Sequence, residues 1–222
     1  AFLSIEVPLL SNMKSYILAH LPFSIRTLER LGVSAIMIED KIGLKKNSLF
    51  KDQSKTKLDS IAGFSKKIKI IRQNRISDDF LIIARTDTCR ELGLEEAVSR
   101  INLAAEVGAD MGLLFPRTNK EAVAATRLCN IPLVYVQSRG NRDDRPLFSR
   151  NQLEEMGYAM CIDAQIMLLV SYNAQRQMLK KLRDNGDFTE LSKEENVTIR
   201  KEIENIINLE DYYNVETMTV EK

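Results

Sequence analysis

The sequence contains few of the side chains that most often form catalytic or metal centres. It has one histidine and three cysteines among 222 residues. His20 has no partner motif around it, so we expect a structural role. The cysteines, Cys89, Cys129 and Cys161, are odd in number and lack metal-ligand spacing. This excludes a disulfide framework and a zinc module, and it predicts buried, reduced thiols in a cytoplasmic protein. Cys89, just beyond a predicted strand, stays a candidate for reactivity.

Excess charge of either sign and long apolar runs are also absent. Lys plus Arg number 32 and Asp plus Glu number 31, so no overall field attracts the chain to nucleic acid or to a membrane surface. No apolar run approaches the roughly 18 residues that a membrane span needs. Ile166–Val170, among the longest, is a core-sized segment. We therefore expect no nucleic-acid partner, no membrane span and a cytoplasmic location.

Strand-like and helix-like patterns alternate through the middle of the chain, which predicts a parallel sheet covered by helices. Helical stripes of apolar residues begin after Asp59, a candidate N-cap, and after Ser149, which forms a capping box with Gln152. The predicted strands are Ser34–Asp40, Phe80–Asp87, Asp110–Pro116 and Pro132–Gln137, with weaker candidates at Gly157–Asp163 and Phe2–Leu10.

Beyond Asp163 the pattern becomes helical throughout. One helix is predicted from about Ala164 to Leu182 with a stop near Gly186, and a second begins at the capping box of Ser192 and Glu195. The tail, Leu209–Lys222, is predicted to fade into disorder. We interpret 1–222 as one domain, with a divergent N-terminal segment at 1–22 and C-terminal helices and tail at 164–222.

Glu39 and Asp40 follow a buried strand directly, and a lysine-rich segment follows them. Paired acids at a strand end suit a hydrated metal ion or acid–base chemistry. The lysines, together with Asn47 and Ser48, suit a small anionic substrate. The alternatives are a capping acid and a solvated charged loop, although a solvated loop leaves the Asn-Ser pair unexplained.

The spacing E-D-K-x-x-x-x-x-N-S at 39–48 resembles the signature of phosphoenolpyruvate mutases, in the phosphoenolpyruvate mutase/isocitrate lyase superfamily. The resemblance implies a (β/α)₈ TIM-type barrel, here with N-terminal β/α units missing or divergent and extra C-terminal helices. It implies that Glu39 orients metal-bound water and that Lys45 is the lysine of a gating loop. Asn47 resembles the residue that positions the migrating phosphoryl group, and Ser48 resembles a phosphoryl-binding hydroxyl.

Other segments resemble the lyase branch of the superfamily or fail to discriminate. Arg85, in Ala84-Arg85-Thr86-Asp87, resembles the superfamily's substrate-binding arginine, with a structural salt bridge as the alternative. Phe115 stands where mutases usually carry histidine. The lyase loop K-[KR]-C-G-H is not retained, because its last three positions are Asn47, Ser48 and Leu49. We expect the arginine-rich segment 137–145 to be a mutually paired surface loop, with substrate contact as the alternative.

The resemblance also implies magnesium, which the superfamily binds through a D-x-D motif upstream of the E-D pair. At the corresponding position this chain reads Leu10-Ser11-Asn12-Met13-Lys14-Ser15-Tyr16-Ile17, so both aspartates are absent. Glu39 is the remaining candidate ligand, acting through water. Hard cations normally require several oxygen ligands.

Three functional hypotheses follow from these observations. The first is a phosphoenolpyruvate-mutase-like isomerase acting on a small 2-oxo acid or enol phosphate, with Lys45, Asn47 and Ser48 as catalytic residues. Arg85, Asn47 and Ser48 would bind its substrate. The second is a magnesium-dependent C–C lyase or hydrolase of 2-oxo or hydroxy dicarboxylates, similar to methylisocitrate lyase. The third is a catalytically silent barrel subunit. The resemblance further implies a homodimer or homotetramer assembled through the C-terminal helices.

Overall fold

The computed structural model describes residues 4–6, 16–42, 57–140, 144–186 and 191–220. The chain divides into two compact units, Ala1–Ile166 and Met167–Lys222. The strands are β1 (Ser4–Glu6), β2 (Ala35–Glu39), β3 (Lys41–Ile42), β4 (Lys57–Leu58), β5 (Leu81–Arg85), β6 (Met111–Leu113), β7 (Leu133–Gln137) and β8 (Met160–Asp163). The helices are α1 (Tyr16–Arg30), α2 (Ile61–Asn74), α3 (Cys89–Glu106), α4 (Asn119–Leu128), α5 (Arg150–Glu155), α6 (Ile166–Asn185), α7 (Lys193–Ile206) and α8 (Leu209–Thr219).

A parallel sheet of six strands, in the order β1-β2-β5-β6-β7-β8, forms the first unit. Each strand falls within one of the six segments predicted from the sequence, including the two weaker ones. Between β2 and β8, helices follow the strands, as the βα alternation predicts. The α/β fold with a partial barrel is therefore confirmed, with six parallel strands among the described residues.

The central strands β2, β5, β6 and β7 are buried on both faces, and their alternation sorts side chains into two apolar layers. Even-numbered residues of β2 and β5, such as Ile36 and Ile82, pack with Phe64, Ile68 and Ile71 of α2 on the helix-covered face. Odd-numbered residues of the same strands, beginning with Ala35 and Met37, pack into a second cluster on the opposite face. Each fully buried aliphatic or aromatic side chain contributes about 1.5–3 kcal/mol. The second cluster contains Ala35, Met37, Ile83, Met111, Leu113, Val134 and Val136.

The start of α2 differs by one residue from the prediction. Ser60, not Asp59, is the N-cap, and its hydroxyl accepts a hydrogen bond from the Gly63 backbone N–H at 3.0 Å. Asp59 instead pairs with the buried Lys67 at 2.8 Å. Asp59 therefore pairs with a lysine of the helix that it precedes, and the adjacent Ser60 hydroxyl caps that helix. The capping box of Ser149 and Gln152 at α5 is confirmed.

A short antiparallel ribbon, formed by β3 and β4, lies directly after β2. Lys41 is paired with Leu58, and Ile42 with Lys57. The Asp59 N–H also donates to the Asp40 carbonyl at 2.8 Å. The ribbon therefore brings the two ends of segment 43–56 together, two residues beyond the end of β2. Segment 43–56 itself lies outside the described residues.

The second unit, Met167–Lys222, is helical. It contains α6 except for its first residue, Ile166, together with α7 and α8. The capping box of Ser192 and Glu195 at α7 is confirmed, and Gly186 follows α6 with a positive φ of 71°. The expectation of a disordered tail is wrong for Leu209–Thr219, which forms α8. Within the described residues, none of the helices has the length and apolar character needed to cross a membrane.

Candidate functional site at the carboxyl ends of two strands

The β2–β5 register places Glu39 directly beside Arg85. Both residues have the odd numbering of the second apolar layer, so their side chains follow Met37 and Ile83 on that face. Arg85 Nη1 lies 3.0 Å from Glu39 Oε1, and it also approaches the Met37 sulfur at 4.0 Å. The strand-end acid and the strand-end arginine therefore meet at the edge where parallel β/α folds place their chemistry.

Lys41 and Asp87 complete a ring of alternating charges around this pair. Lys41 Nζ lies 3.2 Å from Glu39 Oε2 and 2.5 Å from Asp87 Oδ2. Arg85 Nε donates to Asp87 Oδ1 at 2.9 Å, and Nη2 approaches Oδ2 at 3.3 Å. The four side chains are at most 13% exposed. We call this set, Glu39–Lys41–Asp87–Arg85, the charge ring; each acid contacts both cations, and its formal charge is zero.

The cations determine the protonation of Asp87. Burial alone would raise its pKa, but Coulombic attraction to Arg85 and Lys41 and their hydrogen bonds hold the pKa well below the ordinary range. Asp87 is therefore ionised at every physiological pH. It acts as a permanent acceptor, so it is poorly suited to general-acid chemistry.

Asp40 lies on the opposite face and has a structural role. Its side chain is fully buried and accepts a hydrogen bond from the Thr86 hydroxyl at 2.5 Å. Arg100 Nη1 lies 3.3 Å away, and the Asp87 backbone N–H donates at 3.4 Å. Burial raises the pKa of Asp40 despite these contacts. The two adjacent acids therefore face opposite sides of the sheet. Glu39 belongs to the charge ring, and Asp40 lies at the interface between the strands and the helices.

Phe115 and Arg145 extend the charge ring on one side. The guanidinium carbons of Arg85 and Arg145 lie over the Phe115 ring, 4.9 and 4.7 Å from its centroid. Both distances are short enough for cation–π attraction. Arg145 is buried, so the expectation of a surface loop is wrong for this residue. Two arginines therefore converge on the aromatic residue that stands where mutases usually carry histidine.

The predicted site residues divide between described and undescribed parts of the chain. Glu39 and Arg85 are brought together, whereas Lys45, Asn47 and Ser48 lie outside the described residues, within segment 43–56. Sequence reasoning did not assign Lys41 or Asp87 to an ion-paired cluster. The sequence did contain a signal for this cluster, because Lys41 and Asp87 each lie two residues beyond Glu39 and Arg85, the residues in which β2 and β5 end.

Cys89 is not a reactive thiol. It is buried at the start of α3, and burial raises its pKa to about 12. A thiol protonated at neutral pH is a poor nucleophile and a poor metal ligand. The candidate raised from the sequence is therefore wrong, and the prediction of a buried thiol holds for Cys89 and Cys129. Cys161 is exposed instead.

The described residues do not fit a magnesium ion. Glu39 and Asp87 already bind Lys41 and Arg85, and Asp40, on the other face, accepts a hydrogen bond from the Thr86 hydroxyl. In the described part of the chain, no three His, Cys, Asp or Glu side chains form a group that could hold a metal. A divalent ion about 4 Å from an ammonium group is repelled by roughly 8 kcal/mol at an effective dielectric constant near 20. The expectation that Glu39 orients metal-bound water therefore has no support in this geometry.

Comparison with known proteins gives a consistent result. A family model described as phosphoenolpyruvate phosphomutase matches residues 5–183. The phosphoenolpyruvate phosphomutase of Streptomyces hygroscopicus is 29% identical over 164 residues, covering 71% of this chain and 50% of that protein. The 2-methylisocitrate lyase of Aeropyrum pernix is 28% identical over 192 residues, covering 85% of this chain and 59% of that protein. The chain thus spans between half and three fifths of the length of these relatives.

Solved structures of the same superfamily share the fold. A phosphonopyruvate hydrolase, solved with oxalate and Mg²⁺, matches with a TM-score of 0.75 at 23% identity. The match covers 99% of this chain and 72% of that chain. At this identity the similarity establishes the architecture, while the reaction must be argued from the side chains.

Proposed function

This chain belongs to the phosphoenolpyruvate phosphomutase family, within the phosphoenolpyruvate mutase/isocitrate lyase superfamily, and on that premise we propose that it rearranges a small enol phosphate or 2-oxo acid phosphonate. In this reaction a phosphorus–oxygen bond breaks and a phosphorus–carbon bond forms, or the reverse, so substrate and product contain the same atoms. The observation that carries the proposal is the cation-rich cluster at the strand ends, next to the ribbon that bears segment 43–56.

The charges near Phe115 favour an anionic ligand. Lys41, Arg85 and Arg145 are three cations against two carboxylates, Glu39 and Asp87, so these five side chains carry one net positive charge. Arginine is suited to carboxylate and phosphoryl groups because its planar fork donates two parallel hydrogen bonds. Arg85 is held by both acids and by Phe115, so its guanidinium is oriented in advance. Preorganised positive charge is what phosphoryl transfer chiefly requires.

Segment 43–56 supplies the remaining groups in this proposal. Its two ends meet at the β3–β4 ribbon, which begins two residues after Glu39. Lys45 and Asn47 would contact the migrating phosphoryl group, and the Ser48 hydroxyl would bind it. Exclusion of water from the site would prevent hydrolysis of a metaphosphate-like species. No step in this scheme passes through a metal ion, because the described acids do not fit one.

Phosphorus NMR tests the proposal directly. Phosphonopyruvate supplied to the full chain should lose its phosphonate signal, and a phosphate-ester signal should replace it. Asn47→Ala should abolish this exchange, whereas Gln53→Ala, the matched amide change in the same segment, should retain it. An unchanged phosphorus spectrum with folded protein would contradict the mutase proposal.

A carbon–carbon lyase or hydrolase acting on 2-oxo or hydroxy dicarboxylates is the second candidate. Phe115 favours it, because the lyase branch resembles this chain at Leu113–Pro116, and two arginines over one ring suit a substrate with two carboxylates. This activity would release pyruvate or glyoxylate and leave phosphonates unchanged. Arg145→Met should raise KM for either substrate class, whereas Arg117→Met, at an exposed arginine, should leave KM unchanged.

The helical second unit is proposed to assemble with a second copy of the chain. None of the residues described in α6, α7 and α8 is buried, and Met167, Leu168, Ile206 and Met218 are each more than 70% exposed. An apolar surface of this extent usually marks an interaction site. Light scattering should give a dimer or tetramer, and Ile206→Glu should reduce the mass towards that of a monomer. Glu204→Lys, a charge change on the same helix, is the matched control; a monomeric wild type would contradict the assembly.

A further inference from the structure

The charge ring contains a buried lysine whose position bears on metal binding. Lys41 is buried, although most lysines keep their ammonium group in water. Its Nζ bridges one oxygen of Glu39 and one of Asp87, at 3.2 and 2.5 Å. The other oxygen of each acid faces Arg85, at 3.0 and 2.9 Å. The bridging lysine therefore occupies the position from which a single cation contacts both carboxylates.

A divalent ion and this ammonium group cannot share that position. Mg²⁺ binds carboxylate oxygens at about 2.0–2.1 Å and often uses one or two carboxylates together with water. An ion contacting both Glu39 Oε2 and Asp87 Oδ2 would have to occupy the space that Nζ fills. Its two positive charges would add to a ring that is already neutral. Removing the ammonium group would instead leave two acids facing a single guanidinium.

We propose that the Lys41 ammonium is the resident cation of this site and holds Glu39 and Asp87 in place of a divalent metal ion. A fixed monovalent cation holds both acids in position beside Arg85, whose guanidinium stays oriented for anion binding. The inference builds on the location of the proposed active site but not on its reaction. It predicts a site that is already electrostatically complete without added metal.

Manganese binding tests this inference without any substrate. The full chain is titrated with Mn²⁺, and the loss of the six-line electron paramagnetic resonance spectrum of the free ion reports binding. The wild type should leave the spectrum unchanged at millimolar Mn²⁺. Lys41→Met should bind about one ion per chain, because Glu39 and Asp87 then lack their bridging cation. The ion should also raise the unfolding temperature of this variant alone.

Lys67→Met is the matched control, since Lys67 is also buried but pairs with the single carboxylate of Asp59 at 2.8 Å. It should bind no manganese. Stoichiometric binding by the wild type that disappears in Asp87→Asn would overturn the inference. So would a folded Lys41→Met variant that binds no ion. If Lys41→Met fails to fold, the wild-type and Asp87→Asn titrations decide the question. Because no substrate is present, these outcomes are independent of the phosphorus NMR result.

Discussion

Replacing Asp87 by asparagine removes one negative charge from a buried and balanced ring. The amide keeps the size and one acceptor oxygen of the acid, so the change is mainly electrostatic. Lys41 and Arg85 would then share Glu39 as the only charged partner within the ring. Because Lys41 and Arg85 are 4% and 13% exposed, water can compensate little of the loss.

The size of the effect follows from the cost of an uncompensated buried charge. Removing one partner of a buried ion pair typically costs about 3–5 kcal/mol. Total stabilities are about 5–15 kcal/mol, so the variant should lose a large share of its free energy of unfolding. Lys41→Met/Asp87→Asn restores neutrality around Glu39 and Arg85. The double variant should therefore be more stable than the sum of the two single losses implies.

Urea denaturation at neutral pH measures this prediction, with the midpoint shifting and the slope unchanged. Asp78→Asn is the matched control, because Asp78 also bridges two arginines, Arg72 and Arg75, but on the surface. It should shift the midpoint little. A loss below about 1 kcal/mol for Asp87→Asn, or an equal shift in the control, would refute the assignment of a structural charge ring.

The pH dependence gives a second criterion. The folded-state pKa of Asp87 is held well below its ordinary value of about 3.9. A depressed pKa contributes stability that is fully present above the unfolded-state pKa and is lost as pH falls through the folded-state pKa. The stability difference between wild type and Asp87→Asn should thus stay constant above about pH 5 and narrow below about pH 4. A difference that changes between pH 6 and 8 would implicate another group.

Two further predictions concern packing and thiol chemistry. Gly112→Ala should destabilise the chain by about 1–3 kcal/mol in the same denaturation assay, because a Cβ there would lie 2.6 Å from the Ile101 side chain. Unchanged stability would show that β6 can shift. Native chain at neutral pH should incorporate one equivalent of a thiol reagent, at the exposed Cys161, because Cys89 and Cys129 are buried with pKa values raised to about 12. Rapid labelling of all three thiols would contradict that burial.

The fold was largely predictable because burial on both faces leaves a clear trace in the sequence. Runs such as Leu81–Ile83 have no polar alternation, so they indicate a covered parallel strand wherever they occur. Capping boxes at Ser149 and Ser192 were equally local and were confirmed. At α2, however, two neighbouring residues could each cap: Ser60 does so, while Asp59 pairs with Lys67 of the same helix. Local patterns indicate the helix, but they do not show which of two adjacent polar residues caps it and which forms an ion pair.

The candidate site was less predictable because its composition depends on register and on the side of the sheet each residue faces. Glu39 and Asp40 are adjacent carboxylic acids that the sequence does not distinguish. In the structure β2 ends between them, and their side chains lie on opposite faces of the sheet. Glu39 meets Arg85 because the two strands pair in that register. Asp40 meets Thr86 and Arg100 because the next position faces the helices.

The same alternation explains why a lysine can serve in the ring. Lys41 is two residues beyond Glu39, so its side chain returns to the face of the acid it neutralises. Asp87 stands in the same relation to Arg85 on the neighbouring strand. Two strands in register, each ending in an acid and a cation two residues apart, necessarily place four alternating charges together. A chain with this arrangement supplies its own counter-charges at the strand ends, and Arg145, beside Arg85 at the Phe115 ring, adds the positive charge that the proposed anionic substrate requires.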